Sequence, residues 1–445
     1  MIDLSPELWV ILMFGGLMIG LFLGHPLAFV IGGLAVIFGI LSLGPQCFPM
    51  FINRIYGNVM DSYVLIAVPL FIFMALLLNL SGVTDEVFEL AHHFLRRVKG
   101  GLAVAVIVVS TIFAACTGIT GASIVTMGLL TLPLMLKYGY KKEMSVGTVC
   151  AGGTLGILIP PSIMLVFMGS ETGLSVGDLF AAAIIPGLIL SCLYCIYILI
   201  YCFFTLKETE TILVDDELSS LTGAALLKRT SKALVPPVLL ILGVLGSIFL
   251  GVATPTEAAG VGSLCAFVLV LAYDKFSWTS FSEVVLQTSR VTSMALIIVV
   301  GTTCFTGVFL VMGGGEVVEK LLLGTGLGKW GIFCVMMLII FFMGMFLDWI
   351  GIVMITFPFM LPIAEHLGFD KLWFTTICAV VLQTSFLTPP FGYALFYIKA
   401  VAPPEVEMHH VYRGIVPFVI LILCGVIICC IFPETITWLP SVLVK

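Results

Sequence analysis

The stretch Ala151-Gly152-Gly153-Thr154-Leu155-Gly156-Ile157-Leu158-Ile159-Pro160-Pro161-Ser162 runs an apolar, helix-compatible segment into two prolines. Proline supplies no N–H and disfavours helix at the residue before it. Two prolines after three glycines therefore predict a helix broken in mid-course. The break recurs 229 residues later, where Leu382-Gln383-Thr384-Ser385-Phe386-Leu387 meets Thr388-Pro389-Pro390-Phe391-Gly392. The same offset carries Leu132-Pro133 onto Leu361-Pro362 and Gly139-Tyr140-Lys141-Lys142 onto Gly368-Phe369-Asp370-Lys371. It also carries Pro26 and Gly33 onto Pro255 and Gly262. A colinear series with two Pro-Pro pairs reads as an internal repeat. Repeat one covers 1–206 and repeat two 234–445. The polar stretch 207–233, with Asp215-Asp216-Glu217 and then Lys228, Arg229 and Lys232, reads as a cytoplasmic connecting loop with a short amphipathic helix.

Of the 445 residues, 61% are hydrophobic and only 10% charged, against roughly 25% charged in soluble domains. So few charges cannot cover a soluble protein of this length. The net charge of −6 excludes a basic nucleic-acid binder. A β-barrel would show short alternating segments, whereas these apolar runs are long and continuous, as in 8–24 and 417–431. The chain reads as a polytopic helical membrane protein embedded in the lipid bilayer, with about ten crossings at about 20 residues each. Asp3 and Glu7 replace a basic leader region, so the first apolar run is expected to stay as a membrane helix. Most of the 13 cysteines, such as Cys192, Cys195 and Cys424, sit within apolar runs and read as small hydrophobes rather than a disulfide framework.

Candidate crossings in the first half are 8–24, 26–43, 63–80, 143–170 and 179–203. The run 102–136 is interrupted at Cys116-Thr117-Gly118-Ile119-Thr120-Gly121. It is flanked by Arg96, Arg97 and Lys99 on one side and by Lys137, Lys141 and Lys142 on the other. The positive-inside rule puts both flanks in the cytoplasm, which a re-entrant hairpin satisfies and a single crossing does not. Five crossings and a hairpin leave the second half upside down. Its crossings are 234–250, 255–273, 291–311, 372–400 and 411–432, and its hairpin, 331–366, opens outside. With the N-terminus outside, 14 of 19 Lys and Arg fall on the cytoplasmic side. The exceptions are Arg54, Lys320, Lys329, Lys371 and Lys445. Inverted repeats with a hairpin and a broken helix each, 143–170 and 372–400, read as a secondary transporter. Non-helical backbone at membrane depth is tolerated only where it lines a cavity or lies within protein.

At the first break, freed carbonyls and the hydroxyls of Thr154 and Ser162 suit a hard cation such as sodium. At the second, Thr384, Ser385 and Thr388 offer the same chemistry beside the hairpin tip Phe346-Leu347-Asp348-Trp349-Ile350-Gly351. Asp348, ionisable within an apolar segment, marks function by default; it reads as a cation ligand or loop partner, or as the cap of the returning half-helix. Asp61 reads as an outer N-cap. Pro255-Thr256-Glu257 reads as a helix start. His92-His93 and His409-His410 are adjacent pairs that cannot share a helix face. No metalloprotease, nucleophile-elbow or phosphate-loop motif is present, so an enzyme is not expected, and any pumping would draw on an ion gradient.

Gly153-Thr154-Leu155-Gly156-Ile157-Leu158-Ile159-Pro160-Pro161-Ser162 resembles the signature of the large membrane (DctM-like) subunit of TRAP transporters, the tripartite ATP-independent periplasmic carriers. Ala67-Val68-Pro69-Leu70-Phe71, Pro255-Thr256-Glu257-Ala258-Ala259-Gly260 and Leu387-Thr388-Pro389-Pro390-Phe391-Gly392 resemble that family too, as do 182–187 and the Phe432-Pro433 … Leu439-Pro440 ending. The resemblance implies an all-α elevator-type transporter of two inverted-topology repeats, multi-pass in the bacterial inner membrane. It implies sodium-coupled import of an organic acid delivered by a periplasmic substrate-binding protein. It also implies a small four-helix membrane subunit as partner and no cofactor beyond Na+.

Sodium and substrate positions carried over from the family are Thr117, Gly118, Gly121 and Ser123 at the first tip, with Gly152, Gly153, Thr154, Gly156, Pro160, Pro161 and Ser162 at the first break. In the second half they are Asp348 and Gly351, with Thr384, Ser385, Thr388, Pro389, Pro390 and Gly392. The expected Na+ ligands among them are Thr117, Ser123, Thr154, Asp348, Thr384 and Thr388. Substrate carboxylate is expected between the tips. The sequence departs from the family at the first tip, where Cys116, Ile119 and Thr120 replace a serine-rich run, and at the second, with Asp348-Trp349 where Asp-Pro is common. The competing readings are a stand-alone sodium/dicarboxylate elevator symporter and a non-transporting scaffold or redox subunit. Against haem, no His pairs stand at i, i+3 or i+4 in the apolar runs.

Overall fold

The computed structural model describes residues 4–95, 97–117, 120–205 and 223–443, without the side chains of 114–117 and 122. Helix boundaries repeat at the offset read from the sequence. Shifted by 229, Thr120–Lys137 falls on Trp349–His366, and Leu27–Leu43 falls within one residue of Pro255–Ala272. Gly139 and Gly368 both follow a hairpin's second arm in the left-handed conformation, with φ of +75° and +73°, where glycine meets no Cβ penalty.

Each hairpin begins with an apolar helix too short to cross alone. Gly101–Thr117 and Lys329–Gly344 have 17 and 16 residues, roughly 25 Å of helix against a hydrocarbon core of about 30 Å. The arms return as Thr120–Lys137 and Trp349–His366. The broken helices take the expected form. Lys142–Thr154 continues through the 3₁₀ turn Leu155–Ile157, stops at the prolines and restarts as Ile163–Thr172. Lys371–Leu387 likewise stops and restarts as Tyr393–Val401. The Pro160-Pro161 and Pro389-Pro390 peptide bonds are both cis. Seven helices among the described residues are long and apolar enough to span a bilayer.

The two halves interlock. Leu27–Leu43 packs along Trp278–Val311, and in mirror fashion Ala67–Leu80 packs along Pro255–Ala272. These four helices form one layer, in which the Ser263 hydroxyl donates to the Leu70 carbonyl at 2.9 Å. Beside it, Lys142–Thr154 packs on Met408–Ile431 and Lys371–Leu387 on Val176–Thr205. Ile163–Thr172 packs against Trp349–His366, and Tyr393–Val401 against Thr120–Lys137. The second piece of each broken helix thus closes on the hairpin of the other half.

Several elements differ from expectation. The crossing read at 291–311 belongs to Trp278–Val311, a 34-residue helix of about 51 Å, longer than a span needs. Its counterpart in the first half is interrupted. Cys47–Ile55 and its π-helical continuation Tyr56–Met60 end at Asp61, and the chain restarts at Val64–Ile66. Asp61 therefore follows a helix end and does not cap a helix start. Val83–Leu95, Gly314–Gly324 and Glu434–Leu443 are helices outside the expected crossings, because their mixed polar content hides them from a search for apolar runs. Gly223–Phe249 is one helix, so the end of the connecting stretch and the next crossing are continuous; 206–222 lie outside the described residues. Pro255–Ala272 starts on a capping box: Thr254 Oγ1 accepts from the Glu257 N–H at 3.3 Å, and the Glu257 carboxylate accepts from the Thr254 N–H at 2.8 Å.

Candidate functional site

Four helices begin at one cavity. Thr120, Ile163, Trp349 and Tyr393 are the first residues of Thr120–Lys137, Ile163–Thr172, Trp349–His366 and Tyr393–Val401. All four line a cavity of about 180 Å³. Gly121 of the first tip, Asp348 and Ile350 of the second, Ile157 of the first break and Phe386 and Tyr397 flanking the second complete this side. The opposite wall is Ile72 of Ala67–Leu80 with Val291, Met294, Ala295 and Ile298 of Trp278–Val311. Those four recur at helical spacing and share one face. The cavity thus lies between the hairpin–break assembly and the four-helix layer.

A helix N-terminus carries unpaired N–H groups and about half a positive charge, and favours anions. Four of them around one space give a positive field without a positive side chain. The Thr120 hydroxyl is itself shut off from the open space. The residue is 4% exposed, and its Oγ1 has no hydrogen-bond partner among the described residues. The Asp348 carboxylate interacts with the Trp349 and Ile350 amides but makes no full capping bond. Asp348 is also the acidic residue of the cavity lining.

The tips are held by backbone. The Phe391 N–H donates to the Met345 carbonyl at 3.2 Å, joining the second break to the second tip. A Cβ on Gly121 would stand 2.9 Å from the Tyr397 ring, and one on Gly344 would stand 2.5 Å from Ser385 Cβ. Glycine at these two places lets hairpin and break touch.

Among the described residues named as ion ligands, the hydroxyl-bearing Ser123, Thr154, Thr384 and Thr388 do not line the cavity. Thr154 Oγ1 donates to the Ala151 carbonyl at 2.9 Å, Thr384 Oγ1 to Val381 at 2.6 Å and Ser385 Oγ to Leu382 at 2.5 Å. Thr388 Oγ1 donates to the Thr384 carbonyl. Ser162 Oγ donates to the Ile157 carbonyl and caps Ile163–Thr172 by accepting from the Leu165 N–H at 3.4 Å. Serine and threonine in helices commonly bond back in this way. The proton is committed, and the oxygen keeps lone pairs for a cation.

Gly152 and Gly153 are buried in the last turn before the break, and Gly156 lies in the 3₁₀ turn. Gly351 faces Leu27 and Ile31, away from the breaks. Gly392 caps Tyr393–Val401 with φ 20° and ψ 85°. Pro160 and Pro161 are buried, and Pro389 and Pro390 exposed. Ser123 lies in the first turns of Thr120–Lys137. Gly118 and the Thr117 side chain lie outside the described residues.

Sequence reading missed Thr120, Trp349, Phe386, Tyr393 and Tyr397 as cavity residues. The available signal was the pair Tyr393 and Tyr397, four apart and so on one helix face just after the second break. Gln383 was also passed over: it is fully buried, and its Oε1 lacks a partner among the described residues.

Residues 11–435 match the family described as "Tripartite ATP-independent periplasmic transporter, DctM component". The C4-dicarboxylate TRAP transporter large permease protein DctM of Pseudomonas aeruginosa is 29% identical over 86% of this chain and 87% of its own length. The ectoine/5-hydroxyectoine TRAP transporter large permease protein UehC of Ruegeria pomeroyi is 30% identical over 83% of each. The Alcanivorax borkumensis YdaH transporter shares the fold, with a TM-score of 0.61 at 13% identity over 96% of this chain and 99% of that one. These relatives are transport proteins, not enzymes. The chain belongs to the DctM component family of tripartite ATP-independent periplasmic transporters, as a multi-pass protein of the inner membrane.

Proposed function

We propose that this chain is the permease of a sodium-coupled importer of an organic acid, working by an elevator movement. The convergence of four half-helix N-termini on one cavity between two layers supports this best. A carboxylate seated there meets N–H groups and positive dipole ends. The substrates named for two of the relatives, C4-dicarboxylates and ectoines, carry a carboxylate.

In this reading sodium occupies two equivalent sites behind the cavity. One uses oxygens of Thr154, Ser162 and the break carbonyls with Thr117 and Ser123 of the first tip. The other uses Thr384, Thr388 and the second break's carbonyls, with Asp348 on the boundary between ion and substrate. Ion binding draws tip and break together around the substrate, and the loaded assembly then slides along Ala67–Leu80 and Trp278–Val311. The family name implies two further components. We assign them as a periplasmic binding protein that delivers substrate and a small four-helix subunit that braces the layer formed by Leu27–Leu43, Ala67–Leu80, Pro255–Ala272 and Trp278–Val311.

The test is affinity purification from the native membrane, then uptake into proteoliposomes of the substrate held by the co-purified binding protein. Uptake is expected with an inward sodium gradient and not with potassium, and Thr154→Val and Thr384→Val should each raise half-saturating sodium about fivefold, the worth of one modest ligand. Equal uptake in potassium would overturn sodium coupling. Unchanged sodium activation in both variants would overturn the ion sites. Uptake by the chain alone would favour a self-sufficient symporter.

A further inference from the structure

Val176–Thr205 ends in an exposed apolar face. Ile196, Leu199, Ile200, Phe203 and Phe204 recur there at helical spacing, and all five are exposed. Two lysines bracket that face. Lys99 Nζ stands 5.9 Å from the centre of the Phe203 ring, and Lys141 Nζ 5.7 Å from that of Tyr201. A ring attracts an ammonium group at such distances. At about 100° of turn per residue, Phe203 and Tyr201 fall on opposite flanks of Ile200. Neither lysine pairs with a carboxylate among the described residues. Lys142, by contrast, donates to the Glu405 carbonyl at 2.7 Å. Gly100 sets the place of Lys99. Its φ is +86°, and a Cβ there would stand 2.8 Å from Cys202 Cβ, so glycine lets the hairpin's base close on the helix end.

The second half does not repeat this arrangement. At the offset of 229, Lys99 and Lys141 become Gly328 and Asp370, and Ile196 and Ile200 become Gly425 and Cys429, both buried. The lysines nearest that rim are engaged. Lys329 Nζ donates to the Gly368 carbonyl at 2.8 Å, and Lys371 lies 3.5 Å from the Glu365 carboxylate. The bracketed face is therefore an addition to the shared backbone plan. It stands on the rim that the basic flanks of 102–136 place in the cytoplasm, where a membrane presents anionic headgroups. An apolar stripe running from that rim into hydrocarbon, with an ammonium group on each flank, matches a phospholipid in both of its parts. We infer that an anionic phospholipid of the cytoplasmic leaflet binds here, its phosphate between Lys99 and Lys141 and its acyl chains along the stripe from Ile196 to Phe204. None of these residues lines the cavity, so occupancy here does not depend on what the cavity carries.

The test is native mass spectrometry of the purified full chain in detergent. The probes are dioleoylphosphatidylglycerol, dioleoylphosphatidylcholine and inorganic phosphate. A lysine beside an anionic headgroup is worth about fivefold in affinity. Phosphatidylglycerol should therefore bind about 25-fold more tightly than phosphatidylcholine, and the gap should shrink as salt is raised. Lys99→Gln and Lys141→Gln should each remove about fivefold of it, and the double variant should bind the two lipids alike. Lys99→Arg should keep the preference, and so should Lys329→Gln/Lys371→Gln on the opposite rim. Lys99 and Lys141 are exposed; if the double variant still fails to fold, either single variant carries the test. Equal binding of the two lipids by the native chain overturns the proposal. So does a Lys99→Gln/Lys141→Gln protein that keeps its preference, or a Lys329→Gln/Lys371→Gln protein that loses it. Displacement of bound phosphatidylglycerol by millimolar phosphate also overturns it, because the site would then serve a soluble anion.

Discussion

At the first hairpin tip the cavity wall is Thr120 and Gly121, small and uncharged; at the second it is Asp348, Trp349 and Ile350, bulky and acidic. The breaks behind them differ as well. Pro160-Pro161 is buried along with every residue from Met144 to Gly169, whereas Thr388 to Phe391 is partly or fully exposed. Two copies of one backbone plan thus meet the same space, one sealed and one open. The repeat fixes where the helices begin. The side chains at those beginnings differ, with a small, neutral side facing a charged, aromatic one.

The largest expected contrast is in accessibility. With the native cysteines removed, Phe391→Cys should react with a small maleimide at least roughly a hundredfold faster than Ser162→Cys, since the buried site must open first. Equal rates would erase the distinction between sealed and open breaks.

Packing gives the next. Gly344 and Ser385 stand at the positions of Ala115 and Gly156 in the other half, so glycine has changed sides. Gly344→Ala places its Cβ 2.5 Å from Ser385 Cβ and 3.1 Å from Ser385 Cα, and should cost about 1–3 kcal/mol in chemical denaturation. Adding Ser385→Gly gives the residue types that the first half carries at the equivalent positions, Ala115 and Gly156, and should recover most of that. No recovery would mean that the halves solve this contact differently.

The smallest concerns helix starts. Pro255–Ala272 has the Thr254–Glu257 capping box, while Leu27–Leu43 follows Pro26 with no side-chain cap. Glu257→Ala should lower stability by about 1 kcal/mol or less and leave uptake kinetics alone, because the box is exposed and its helix lends no residue to the cavity. A change in substrate affinity would give Glu257 a role this account denies it.

Much of the fold was legible because its signals are local or charged. The Pro-Pro pairs announce broken helices, basic flanks on both sides of 102–136 announce a hairpin, and one offset joins the halves. The elements that escaped are those whose apolar content is mixed, such as Cys47–Ile55 and Gly314–Gly324. The site was half legible. Its backbone breaks and Asp348 were visible, because glycine, proline and a carboxylate are costly within a membrane. Trp349, Tyr393 and Tyr397 were not, because an aromatic in an apolar run reads alike whether it faces lipid, core or ligand. Nor could sequence say that the Thr154 and Thr384 hydroxyls commit their protons to their own helices.

The proposed elevator movement requires the hairpin–break assembly to slide against the four-helix layer. Ser62, next to that layer's Val64–Leu80 segment, and Ser170, on the half-helix Ile163–Thr172, place their hydroxyl oxygens 3.0 Å apart, a separation compatible with a disulfide after substitution. In a background without native cysteines, a Ser62→Cys/Ser170→Cys protein should lose sodium-driven uptake on mild oxidation and regain it on reduction. Full uptake with the cross-link intact would contradict the account.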